Sequence, residues 1–122
     1  MNDQRYFDIA ASGSTLTVTV CRNVSSLMED RIDLELAEVI RQLQPPEIRH
    51  LVIDFSPVDY FGSGLLEALL ELWRHIKSRP GTMALCGLSK VTLEILRVGR
   101  FDTLWPIFAT RDEALRFAAQ ES

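Results

Sequence analysis

Cysteine is scarce in this chain. Cys21 and Cys86 are the two it carries, with no Cys-x-x-Cys spacing and no Cys/His cluster. That pattern argues against a disulfide-stapled scaffold or a zinc module. Two such cysteines read most simply as reduced core residues, with a disulfide or a metal site the lesser alternative. Neither a metal nor a cofactor is expected. Basic charge is also in short supply. Lys plus Arg is 13 against 17 for Asp plus Glu, a net charge of −4. A nucleic-acid binder normally carries a basic surplus, and an anionic membrane surface attracts one, so both partner classes are disfavoured. Long apolar runs are missing: none approaches the ~20 residues that a bilayer span needs. Met1-Asn2-Asp3-Gln4-Arg5 lacks the charged start and apolar stretch of a signal peptide, so a cytoplasmic protein without membrane insertion is expected. Long linkers, low-complexity tracts and fixed-period repeats are absent too.

What is present fits one globular domain over residues 1–122. Hydrophobic residues are 47% and charged residues 25%, an ordinary balance. A chain of this size buries enough surface for a real core. Tyr6 to Ala11 is β-prone, Ser12-Gly13-Ser14 is turn chemistry, and Leu16, Val18 and Val20 alternate with threonines at a period of two. This predicts a hairpin. Ser26 and Glu29 match a capping box, followed by an apolar helical stripe of Met28, Ile32, Leu36, Ile40 and Leu43, which Pro45-Pro46 terminates.

Leu51-Val52-Ile53 is a continuous apolar run and predicts a central strand buried on both faces. A second, broadly apolar helix runs from Leu65 to Ile76 and stops at Arg79-Pro80-Gly81. Thr82 to Leu85 is a third buried strand. Ser89 opens a short helix carrying Val91, Ile95, Leu96 and Val98, with Gly99 as its left-handed C-terminal residue. Trp105 to Ala109 is the last strand. Thr110 and Glu113 form a capping box for a final helix with Leu115 and Phe117 inward. Strands alternating with helices predict parallel pairing through right-handed crossovers.

In such sheets function gathers beyond the carboxyl ends of the strands. The most informative segment there is Asp59-Tyr60-Phe61-Gly62-Ser63-Gly64. Ser63 opens a leucine-rich helix between two glycines. One reading makes it an N-cap. The other presents its hydroxyl for phosphorylation, where the helix N-terminus would stabilise the added charge. The segment is neither a nucleophile elbow nor a P-loop. His50 and His75 read as surface or boundary residues. Asp54 and Asp59 could pair as acid and base, but a strand-end or loop aspartate is more often a turn residue. Trp73 and Trp105 read as core anchors.

The run Val52-Ile53-Asp54-Phe55-Ser56-Pro57-Val58-Asp59-Tyr60-Phe61-Gly62-Ser63-Gly64-Leu65-Leu66 resembles the STAS domain, the fold of bacterial anti-sigma-factor antagonists. Gly81 to Ser89, and Val91 to Trp105, resemble the family's next strand and its Val-x-x-x-Leu-x-x-x-Gly-Leu/Phe-Asp run. The resemblance implies an α/β fold: a mostly parallel mixed sheet of about five strands, with about four helices mainly on one face. It implies a non-enzymatic, partner-switching regulator that binds an anti-sigma factor, itself a serine kinase, and is switched off by phosphorylation of the serine opening the second helix. That serine falls on Ser63. The family's acidic residue before it is Gly62 here, and its following Ser/Ala is Gly64. The expected partner surface is Asn23, Ser25, Ser26, Asp59, Tyr60, Phe61, Gly62 and Gly64. The alternatives are an accessory STAS subunit of an ABC transporter, and a sensor domain for a nucleotide or small ligand. Oligomeric state is left open.

Overall fold

The computed structural model describes residues 5–23 and 32–120. The chain opens on a hairpin, β1 (Phe7–Ser12) and β2 (Thr15–Val20), closed by Gly13-Ser14. It continues through α1 (Ile32–Leu43), β3 (His50–Asp54), α2 (Ser63–Lys77), β4 (Thr82–Cys86), α3 (Lys90–Val98), a 3-10 turn at Phe101–Thr103, β5 (Ile107–Phe108) and α4 (Arg111–Gln120). The five strands lie in the order β1-β2-β3-β4-β5. β1 pairs antiparallel with β2 and every other pair is parallel. The sheet is therefore mixed and mostly parallel, and β3 is its centre.

The pleat sorts side chains into two cores. Leu16, Val18 and Val20, Leu51 and Ile53, and Met83 and Leu85 face α1 and α2 in the main core. Leu96 of α3 and Trp105 join it. On the opposite face, Val52, Ala84 and Cys86 meet Ala114 of α4, with Phe108, Leu115 and Phe117 packed around them. Three helices thus gather on the main core and one covers the other face.

The expected strand Leu51–Ile53 extends to His50 and Asp54, and all five residues are buried. Of the N-caps expected within the described residues, those at Ser89 and Thr110 form. The Ser89 hydroxyl accepts the Thr92 N–H at 3.1 Å. At α4 the Thr110 hydroxyl accepts the Glu113 N–H at 3.2 Å, while the Glu113 carboxylate accepts the Thr110 N–H at 3.4 Å. The capping box at Ser26 and the apolar position Met28 lie outside the described residues.

Several expectations are corrected. Gly99 is not left-handed; that conformation belongs to Arg100, at φ 64°. Val91 and Val98 are exposed, Val98 by 74%, while Thr92 and Leu96 face inward. In α4 the fully buried positions are Ala114 and Ala118, with Leu115 and Phe117 half-buried. The last strand is the two-residue Ile107–Phe108, with Trp105 buried just before it. Trp73 is half-buried and meets Trp105 edge to face at 5.9 Å. His50 is a buried strand residue, its Nδ1 2.8 Å from the Thr82 hydroxyl. Thr15 and Thr17 of β2, alternating with the apolar positions, are buried too.

Candidate functional site

The loop from β3 to α2 begins with a buried carboxylate. Asp54 Oδ1 accepts the Ser56 backbone N–H at 2.9 Å and the Ser56 hydroxyl at 2.6 Å. This local turn reverses the chain at the strand end. Asp54 Oδ2 accepts Arg111 Nε at 3.0 Å, and Arg111 Nη2 donates to the Thr19 hydroxyl at 2.6 Å. One guanidinium therefore ties the ends of β2 and β3 to the start of α4. Burial alone would push the Asp54 carboxyl up, but the Ser56 bonds and the Arg111 guanidinium outweigh it and hold the group below the usual aspartate range. Asp54 is committed to structure and not to acid–base pairing with Asp59. Beside it, burial and the negative charge of Asp54 push the Cys86 thiol up to about 12, which leaves it protonated and unreactive.

A carboxyl whose native pKa is depressed stabilises the fold above its unfolded value, about 3.9, and loses that contribution as pH falls through the native value. Asp54→Asn is expected to lower stability by about 1–3 kcal/mol at neutral pH. Urea titrations of both proteins, stepped from neutral pH down past the unfolded aspartate value, should show the gap closing as Asp54 protonates. A gap that stays constant across that window would disprove the charged bridge.

After the turn, side chains alternate between anchor and display. Phe55, Val58 and Phe61 are buried, with the Phe55 and Phe61 rings 5.3 Å apart. Between the last two anchors, Asp59 and Tyr60 are held outward, Tyr60 with 45% of its surface exposed. Two neighbouring strand ends reach Asp59. Asn23, after β2, donates from Nδ2 to Asp59 Oδ1 at 3.4 Å, and the Ser89 hydroxyl, after β4, donates to the Asp59 carbonyl at 3.2 Å.

Ser63 is exposed but does not cap α2. The N-cap is Gly62, in extended conformation, and no side chain makes a cap bond there. The Gly62 carbonyl accepts the Leu65 N–H at 3.1 Å, so Ser63 is the first residue inside the helix. The reading of Ser63 as the N-cap is corrected on this geometry. The first turn of α2 also holds no acidic residue, whereas its last turn carries Arg74, His75 and Lys77. The first turn thus supplies no carboxylate of its own to offset the positive end of the helix.

The structure brings Asn23 and Asp59 together and displays Tyr60 and Ser63 on the same loop-to-helix segment. Phe61 and Gly64 are buried, so they shape this surface from below, and Gly62 is half-buried. Ser25 and Ser26 lie outside the described residues. Sequence reasoning missed Arg111 and the bridging role of Ser89. Ser89 was visible as a cap, but its second bond joins residues 30 positions apart, and the Arg111–Asp54 bond spans 57.

A model of the STAS domain family matches residues 6–114. The chain is 24% identical over 91 residues to the BtrV protein of Bordetella bronchiseptica, named as an anti-sigma factor antagonist, with 75% of each chain covered. It superposes on a STAS domain protein from Planctomyces limnophilus, titled an anti-sigma-factor antagonist, with a TM-score of 0.80 and 26% identity over 93% of this chain and 97% of that one. The Bacillus cell fate determinant SpoIIAA, solved in its phosphorylated form, has the same fold, with a TM-score of 0.65 and 15% identity over 90% of this chain and 96% of that one.

Proposed function

The chain belongs to the STAS domain family, and from that premise we propose that it is a single-domain, cytoplasmic, non-enzymatic anti-sigma-factor antagonist, switched by phosphorylation of Ser63. The partner is an anti-sigma factor with serine-kinase activity. The observation that carries this reading is the setting of Ser63: an exposed hydroxyl at the open N-terminus of a 15-residue helix that has no capping side chain and no acidic first turn. A phosphate there would bring about −1.5 to −2 charges, which the helix end accommodates without disturbing the fold. The same charge, set beside exposed Asp59 and Tyr60, would be desolvated when a partner covers the surface, and this turns binding off. Support also comes from a relative named as an antagonist and a fold neighbour solved in phosphorylated form.

The test is a set of Ser63 variants against a purified kinase-type anti-sigma factor from the same genome. Ser63→Ala is expected to change stability by less than about 0.5 kcal/mol, since no cap bond is lost, and to bind like wild type. Ser63→Asp is expected to keep the fold, because its charge suits the helix N-terminus, and to bind at least tenfold more weakly, about 1.4 kcal/mol. Tyr60→Ala is expected to weaken binding with the melt unchanged. Equal affinity for wild type, Ser63→Ala and Ser63→Asp would remove the switch.

A further inference from the structure

The groove between α1 and α2 lies outside the Ser63 surface and carries a chemistry of its own. Its floor is apolar: Leu36, Ala37 and Ile40 from α1 face Leu70 from α2. Leu36, Ile40 and Leu70 pack on the main core from one side yet stay half-buried, and Ala37 is exposed. One turn before Ala37, Leu34 is 69% exposed. A large unpartnered apolar strip of this kind marks an interaction site more often than a bare surface. The rim is acidic. Among the described residues, Asp33, Glu67 and Glu71 line it with Arg74 as the one cation, and Arg74 is already paired with Glu71.

We propose that this groove is a docking site for a basic amphipathic helix of a partner protein. Length, volume and charge agree on that occupant. The lining runs from residue 33 to 40 on α1 and from 67 to 74 on α2, two helical turns on each, or about 10 Å. An amphipathic helix presents its apolar anchors at i, i+3, i+4 and i+7, which spans the same two turns. The cavity volume of about 490 Å³ holds a few aliphatic side chains. The three carboxylates lie where Lys or Arg residues flanking such a stripe would fall, and they disfavour an acidic helix. Glu67 follows Ser63 by one turn on α2, so a partner engaged at Ser63 could extend into the groove, but the site does not depend on phosphorylation.

The probe is a synthetic peptide of about 18 residues, long enough to hold a helix, with Leu at i, i+3, i+4 and i+7 and Lys elsewhere. A matched peptide carries Glu in place of Lys. In NMR titrations of the labelled protein, the Lys peptide is expected to shift amides of residues 33–40 and 67–74 first, and the Glu peptide to leave them unmoved. Glu67→Lys is expected to keep the melt, since it relieves a like-charge pair with Glu71, and with Ala37→Arg to weaken the Lys peptide about tenfold or more. Equal binding of the two peptides, shifts centred elsewhere, or unchanged affinity in the double variant would overturn the proposal. So would a concentration-dependent dimer that Ala37→Arg converts to monomer, because the occupant would then be a second copy of this chain. A failed Ser63 switch leaves these readings intact, and the reverse holds as well.

Discussion

Truncating Ile53 to alanine is expected to lower stability by about 2–5 kcal/mol, the range for a buried aliphatic side chain removed from a packed core. Ile53 sits in the middle of β3, the middle strand, paired with Val18 on one side and Leu85 on the other. It is 1% exposed and part of the main core under α1 and α2. The loss combines the transfer free energy of the deleted methyl and methylene groups with a cavity that flanking strands cannot close without shifting their own register. The thermal midpoint should fall by at least ~6 °C. Val98→Ala is the matched control. It deletes an aliphatic side chain that the helical pattern placed inward but that is largely exposed, and it should move stability by less than about 0.5 kcal/mol. Similar losses in the two variants would mean that β3 is not the centre of the core.

That contrast locates what the sequence could reveal. Leu51-Val52-Ile53 could be read because a run with no polar position has only one comfortable place, the middle of a sheet covered on both faces. The Ser89 cap and the Thr110–Glu113 box were legible because both ends of each bond lie three residues apart. Signals that depend on what approaches from a distance were not. Alternation in Thr15 to Val20 indicates one apolar face, but Thr15 and Thr17 on the other are buried as well. Gly99 looks like a left-handed helix terminus, yet its φ is −84° and the left-handed residue is Arg100; the glycine instead gives room to the Phe101 ring, which a Cβ there would approach to 2.7 Å. At the candidate site, the place of Ser63 in the chain was legible, but whether Gly62 or Ser63 caps the helix is a matter of one residue's backbone angles. The Asp54–Arg111 bond was invisible because a surface arginine has no local signature of a partner 57 residues away.

Replacing Gly87 by alanine is expected to cost about 2–5 kcal/mol, combining a backbone penalty of about 1–2 with overpacking of about 1–3. Gly87 follows β4 with φ at +71°, a conformation that a Cβ disfavours. The space is closed as well. A Cβ there would fall 2.8 Å from Asp54 Oδ1 and 2.9 Å from the Ser56 backbone N, and closer still to the Ser56 hydroxyl. Glycine at this position is what lets β4 leave the sheet directly against the turn that starts the β3–α2 loop. Relief of the clash has to displace Ser56, and Asp54 then loses two of the bonds that offset its burial. The damage should therefore travel. Loosening Asp54 frees Arg111, weakens the attachment of α4, and shifts the path of the loop that presents Asp59, Tyr60 and Ser63. Urea unfolding separates the two contributions. Ser56→Ala removes the hydroxyl but leaves the backbone N and the φ requirement, so in that background Gly87→Ala should cost less, with the backbone penalty of about 1–2 kcal/mol remaining. Proton exchange should show the same order: amides of the β3–α2 loop and the first turn of α4 lose protection in Gly87→Ala before those of β3 do. If Gly87→Ala unfolds within about 0.5 kcal/mol of wild type, the strand-end cluster is not tightly packed.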